Sequence, residues 1–171
     1  MPVSAAHSST FNVTTPSDHE IALTRVFDAP RQLVFEAMTR PEHVRRWWGI
    51  LDERYSVTVC EIDLRVGGRY RFVGTTPDGT EVPFTGVYRE IVAPERLVQT
   101  EIYDVPMARD HEGVITATFT ESGGKTTVHS VIRYDSKQTR DIVIASGMER
   151  GVETGYDEIE NMLERMSRKA S

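Results

Sequence analysis

From Glu20 onward the chain alternates between short apolar-rich runs and turn residues. IALTRVFD (Ile21–Asp28) is rich in β-branched and aromatic residues and stops at Ala29-Pro30, which predicts a strand. Leu33, Val34, Ala37 and Met38 then fall at helical spacing. Asp28 stands where it can cap that helix, and Pro30 lies in its first turn, where no N–H donor is needed. Thr39-Arg40-Pro41 ends this helix and opens another, with Val44, Trp47 and Trp48 inward and Gly49 at its end.

Six more strands are predicted, over Arg54–Ile62, Arg69–Thr76, Glu81–Val92, Arg96–Asp104, Gly113–Glu121 and Lys125–Tyr134. Pro77-Asp78-Gly79 and Ser122-Gly123-Gly124 between them supply the dihedral angles of tight turns. Links this short make consecutive strands antiparallel neighbours, giving one sheet of seven strands with a face to cover. The cover comes last. Met148, Val152, Tyr156, Ile159, Leu163 and Met166 form a helical stripe, and Glu149, Arg150, Glu153, Asp157, Glu160 and Arg165 lie off it. A short helix near 137–145 and a long one near 148–166 are expected, broken at Ser146 or Gly147.

Composition narrows the class. A chain of 171 residues makes one domain with a real core. A net charge of −6 argues against nucleic-acid binding and against a basic membrane-surface role. No apolar run is long enough for a transmembrane helix, and the amino end does not read as a secretory signal. One cysteine, Cys60, leaves no internal disulfide and fits a reducing, cytoplasmic location. Residues 1–19, rich in Ser and Thr, read as a flexible tail before a domain over 20–168. A short strand around Phe11 and Val13 is the lesser alternative.

Catalytic motifs are scarce. No nucleotide-binding glycine motif or nucleophile elbow occurs, and the five histidines are too scattered for a metal. No cofactor is expected. Asp63 and Arg65 read as a local ion pair and Gly67-Gly68 as a bend. Glu101 and Tyr103 share one alternation of their strand, and His129 lies on another; a buried Glu101 would titrate high and serve as acid or base. The alternative for Glu101 is a solvent-facing or Arg-paired carboxylate. Gly147, Gly151 and Gly155, spaced by four, cost a helix stability. Either they let the helix approach its neighbour closely or they leave space beneath it.

The strings RVFDAPRQLVFEAMTRPEHVRRWWG, DLRVGGRYRF, FTGVYREIVAPERLVQT and GMERGVETGYDEIENML occur in this order between about Glu20 and Met166. Together they resemble the bacterial family named after the activator of the heat-shock protein 90 ATPase. That family belongs to the START-like, helix-grip superfamily (SRPBCC), which also holds polyketide cyclases and the birch-pollen allergen group. The resemblance implies an α+β helix-grip fold, a seven-stranded antiparallel sheet curved around a long C-terminal helix, with two short helices after the first strand. The expected function is binding of a small hydrophobic molecule between sheet and helix. Trp47, Trp48, Tyr70, Phe72, Phe84, Tyr88, Glu101, Tyr103, Met148, Val152, Gly155 and Tyr156 are the candidate lining. The alternatives are a cyclase or dehydratase on the same scaffold, or a regulator with a chaperone ATPase as partner. A homodimer is a further expectation.

Overall fold

The computed structural model describes residues 10–49 and 54–169. In chain order the elements are β1 (Asn12–Thr14), β2 (Glu20–Phe27), α1 (Arg31–Thr39), α2 (Pro41–Trp47), β3 (Ser56–Ile62) and β4 (Arg69–Thr75), then β5 (Glu81–Val92), β6 (Arg96–Tyr103), β7 (Gly113–Ser122), β8 (Lys125–Arg133), α3 (Lys137–Ala145) and α4 (Met148–Lys169). All strands join one antiparallel sheet in the order β1-β2-β8-β7-β6-β5-β4-β3. The fold is therefore the expected α+β arrangement, but with eight strands instead of seven.

The extra strand comes from the segment read as a tail. Asn12–Thr14 pairs with Ala22–Thr24 on the edge of the sheet. Thr10 Oγ1 accepts the Val26 N–H at 2.9 Å, and the Phe11 ring meets Tyr156 edge-on at 5.8 Å. Apolar residues at alternate positions suffice to order so short a strand when an open edge is available. Residues 1–9 of the expected tail lie outside the described residues. The first helix also starts differently: its N-cap is Pro30 without a side-chain cap, while the Asp28 N–H donates to Glu160 Oε1 at 3.3 Å.

Alternation and register fix which side chains face the helices. Phe27 on β2, Val128 on β8, Phe119 on β7, Leu97 on β6 and Tyr88 on β5 all point into one buried cluster with Val34, Phe35, Ile159 and Leu163 of the helices. A second cluster, Ile21, Leu23 and Ile132 with Met148 and Val152, lies beneath the start of α4. Helix α4 is held mainly by α1, α2 and α3, while α1 rests on β7 and β8 and α2 on β3. Among the described residues, the closest backbone approaches of helices to the sheet fall on β3, β7 and β8.

Candidate functional site

Five residues form a row across the inner face of the sheet. Register pairs Tyr70 with Gly86 between β4 and β5, and Glu101 with Gly113 between β6 and β7. Continuing the β5–β6 register from Thr85↔Ile102 sets Gly86 opposite Glu101, and continuing β7–β8 from Val114↔Arg133 sets Gly113 opposite Tyr134. The row therefore runs Tyr70–Gly86–Glu101–Gly113–Tyr134.

Gly86 is required here, and Gly113 leaves little room for anything larger. A Cβ on Gly86 would lie 2.4 Å from Tyr70 Cε1, and one on Gly113 would lie 3.1 Å from Tyr134 Cε1. Each missing side chain lets a tyrosine ring lean across its neighbouring strand toward Glu101. The sheet loosens at this point. Val87 N–H donates to the Thr100 hydroxyl at 2.9 Å, and the Tyr70 hydroxyl donates to the Thr100 carbonyl.

The carboxyl between the two tyrosines has unusual surroundings. Glu101 sits deep among protein atoms yet keeps part of its surface open. Among the described residues, no hydrogen bond or ion pair reaches its carboxylate. Burial alone pushes its pKa up to about 7, with no neighbouring cation pulling it down. Burial also raises the phenols of Tyr70 and Tyr134, and the Glu101 charge raises both further, which places all three groups within electrostatic reach.

Beside the row lies an aromatic surface. Trp48 contacts Phe72 at 5.2 Å and Phe84 at 5.3 Å between ring centroids. Phe84 meets Tyr103 at 4.9 Å, and Tyr70 meets Phe72 at 4.8 Å and Tyr88 at 5.4 Å. Phe72, Tyr70 and Tyr88 are buried, whereas Trp48, Phe84, Gln99, Glu101 and Tyr103 remain half-buried. Of the sequence candidates, Trp48, Tyr70, Phe72, Phe84, Tyr88, Glu101 and Tyr103 are thus brought together.

The other five serve the packing of α4 on α2 and on the sheet. Trp47 donates its indole N–H to the Ala37 carbonyl at 2.8 Å, and its ring meets Tyr156 at 6.5 Å. A Cβ on Gly155 would lie 3.0 Å from the Trp47 carbonyl oxygen and 3.3 Å from its ring. Gly155 therefore allows close approach of α4 to α2 and leaves no vacant space. Gly147 belongs to no helical stripe; its positive φ of 84° makes the turn between α3 and α4. Met148 and Val152 pack on Ile21, Leu23 and Ile132.

Sequence reasoning missed Gln99, Gly86, Gly113 and Tyr134. Gln99 shares the Glu101 alternation and could have been found there. The glycines and Tyr134 become visible only when register aligns four strands. Elsewhere the simpler expectations stand: Asp63 and Arg65 pair at 2.8 Å, and His129 is exposed, 2.9 Å from Thr24 Oγ1. No group of metal-ligating residues occurs among the described residues. Two surface hollows lie elsewhere, one of about 470 Å³ along α3 and one of about 180 Å³ between α2 and α4.

A curved antiparallel sheet gripping a long carboxy-terminal helix defines the helix-grip class. Within that class, the model for Activator of Hsp90 ATPase homolog 1-like protein matches residues 28–164, and the chain belongs to this family. A crystal structure from Rhodobacter sphaeroides is similar at a TM-score of 0.81 and 25% identity, covering 91% of this chain and 98% of that one. One from Mycobacterium smegmatis gives 0.78 and 24%, covering 91% and 96%. The solution structure of an AHSA1-like protein from Aeromonas hydrophila gives 0.66 and 21%, covering 84% and 93%. The last two show the fold alone. None of the curated proteins matches the sequence.

Proposed function

We propose that the protein binds a small, largely apolar molecule against the inner face of β4, β5 and β6. The supporting observation is a difference in covering. Inward side chains of β2 and β8 are shut beneath the helices, while Phe84, Gln99, Glu101 and Tyr103 face inward and stay partly open. Half-open aromatic rings with a few polar groups among them are the usual lining of a small-molecule site. Trp48, Phe84 and Tyr103 would hold the apolar body, and the Tyr70–Glu101–Tyr134 row would orient its polar end. Native mass spectrometry of the purified protein tests this, together with titration by a neutral apolar dye. A retained molecule, or dye binding weakened by Phe84→Ala, supports the proposal. Absence of both a retained molecule and dye binding overturns it.

A catalytic version of the same site has one observation in its favour. With its pKa near 7, Glu101 can hold or release a proton close to neutral pH, as a cyclase or dehydratase needs. Turnover lost in Glu101→Gln with ligand binding retained would favour this second version.

A further inference from the structure

We propose that the polar end of the ligand is a cationic amine, with the Glu101 carboxylate as its counter-charge and the Tyr70 and Tyr134 rings on either side. This rests on the binding function above and names the ligand class.

An ionised carboxylate in low dielectric needs a hydrogen-bonded or charged partner. Glu101 has none among the described residues, and burial is the sole influence on its titration. The flanking Tyr70 hydroxyl is already committed, since it gives its proton to the Thr100 carbonyl. Glu112, the other acid near this tyrosine, is already neutralised by Arg89 at 3.0 Å, so Glu101 is the acid of this group left without a counter-charge among the described residues.

Geometry points the same way. Gly86 and Gly113 give up their side chains where strand neighbours flank Glu101, and an aromatic ring fills each gap. An ammonium group is attracted both to a carboxylate and to the faces of aromatic rings, and desolvation strengthens both attractions. An anionic head would meet the Glu101 carboxylate with like charge. A neutral hydroxyl could donate one hydrogen bond to that carboxylate but would bring no counter-charge and gain nothing from the flanking rings.

Decylamine, decanol and decanoate share one apolar chain and differ in head charge. Each is titrated below its micelle concentration, at about pH 8, in competition with a neutral apolar dye. Decylamine should bind about tenfold or more tighter than decanol, an amount within the reach of one ion pair plus cation–π contacts. Decanoate should be weakest. In Glu101→Gln, which removes an unpaired charge and keeps the shape, decylamine and decanol should converge. Tyr134→Leu, which keeps an apolar side chain without the ring, should narrow the gap several-fold. Decanol matching decylamine in the natural protein, or a preference unchanged in Glu101→Gln, overturns the amine assignment while leaving apolar binding intact. If none of the three displaces dye and the dye itself does not bind, the binding function falls as well.

Discussion

Arg25 and Glu101 are both charged, and both face the inner side of the same sheet, yet the protein treats them differently. Arg25 lies on β2 beneath α4, where Asp157 and Glu160 approach its guanidinium at 2.9 and 3.8 Å. Its guanidinium also sits over the Phe27 ring at 5.5 Å. Glu101 lies on β6, half-open beside Phe84 and Tyr103, and among the described residues no counter-charge approaches it. Where a helix covers the sheet, the helix also brings the compensating groups. Where it does not, the compensation is left to solvent or to a ligand. Buried charges in folded proteins are paired as a rule, so the unpaired one is the informative one.

The largest effect expected from this contrast is in packing. Ile159 is fully buried on the inner face of α4, and Ile159→Ala should cost about 2–5 kcal/mol in urea unfolding. Phe84→Ala removes a larger side chain from the open region, yet it should cost less than Ile159→Ala, because part of that ring is already in water. Equal or greater loss for Phe84→Ala would mean that the β5–β6 face is as closed as the rest.

The next effect concerns proton linkage. The Glu101 pKa is raised from 4.5 to about 7 in the folded chain. Between these values the native state holds a proton that the unfolded chain has released. Stability should therefore fall as pH rises from about 4.5 to about 7, by roughly 2–3 kcal/mol from this group. Tyr70 and Tyr134, both raised, stay neutral throughout that window. Glu101→Gln should lose this component and be more stable than the natural protein at about pH 8. A variant with the same pH slope as the natural protein would show that Glu101 is solvated like a surface carboxylate.

Arg25→Met is expected to do less. It keeps an unbranched apolar stem and leaves behind Asp157 and Glu160, whose side chains are 57% and 35% exposed. Their solvation softens the loss, so the change should cost about 1 kcal/mol or less. A loss of several kcal/mol would show that the pair organises α4 and is more than a local neutralisation.

The main elements were legible because each carries its own local signal. Period-two runs marked seven strands, and the Met148–Met166 stripe marked the long helix. The eighth strand was less legible, since Phe11 and Val13 gain order from the open edge of β2 and from the Tyr156 ring. The candidate site was half legible. Glu101 and Tyr103 share an alternation visible in six letters of sequence, but the tyrosines flanking Glu101 come from strands far away in the chain. Their meeting depends on register and on two glycines whose role appears only when the neighbours are in place. Gly155 stayed ambiguous for a related reason: sequence shows that a side chain is missing, and only the fold shows that Trp47 fills the space.

Gly155→Ala is the finest test of that last point and the smallest expected effect. Replacing a helical glycine by alanine gains about 1 kcal/mol of helix stability. Against this, the new methyl group would meet the Trp47 carbonyl oxygen at 3.0 Å and the indole ring at 3.3 Å. The oxygen belongs to the last residue of α2, and the ring is tied by its N–H to Ala37, so neither side can turn away freely. The two helices must separate by a few tenths of an ångström, which loosens the packing of the Trp47 and Tyr156 rings. The opposing contributions nearly cancel, and the net change should be a loss within about 1 kcal/mol. Binding of the neutral dye should be nearly unchanged, because a shift of a few tenths of an ångström at the Trp47 carbonyl leaves the neighbouring Trp48 ring on Phe84. A variant stabilised by the full helix propensity would mean that α2 and α4 yield to each other. Dye binding abolished while stability is retained would restore the space beneath α4 as part of the binding site.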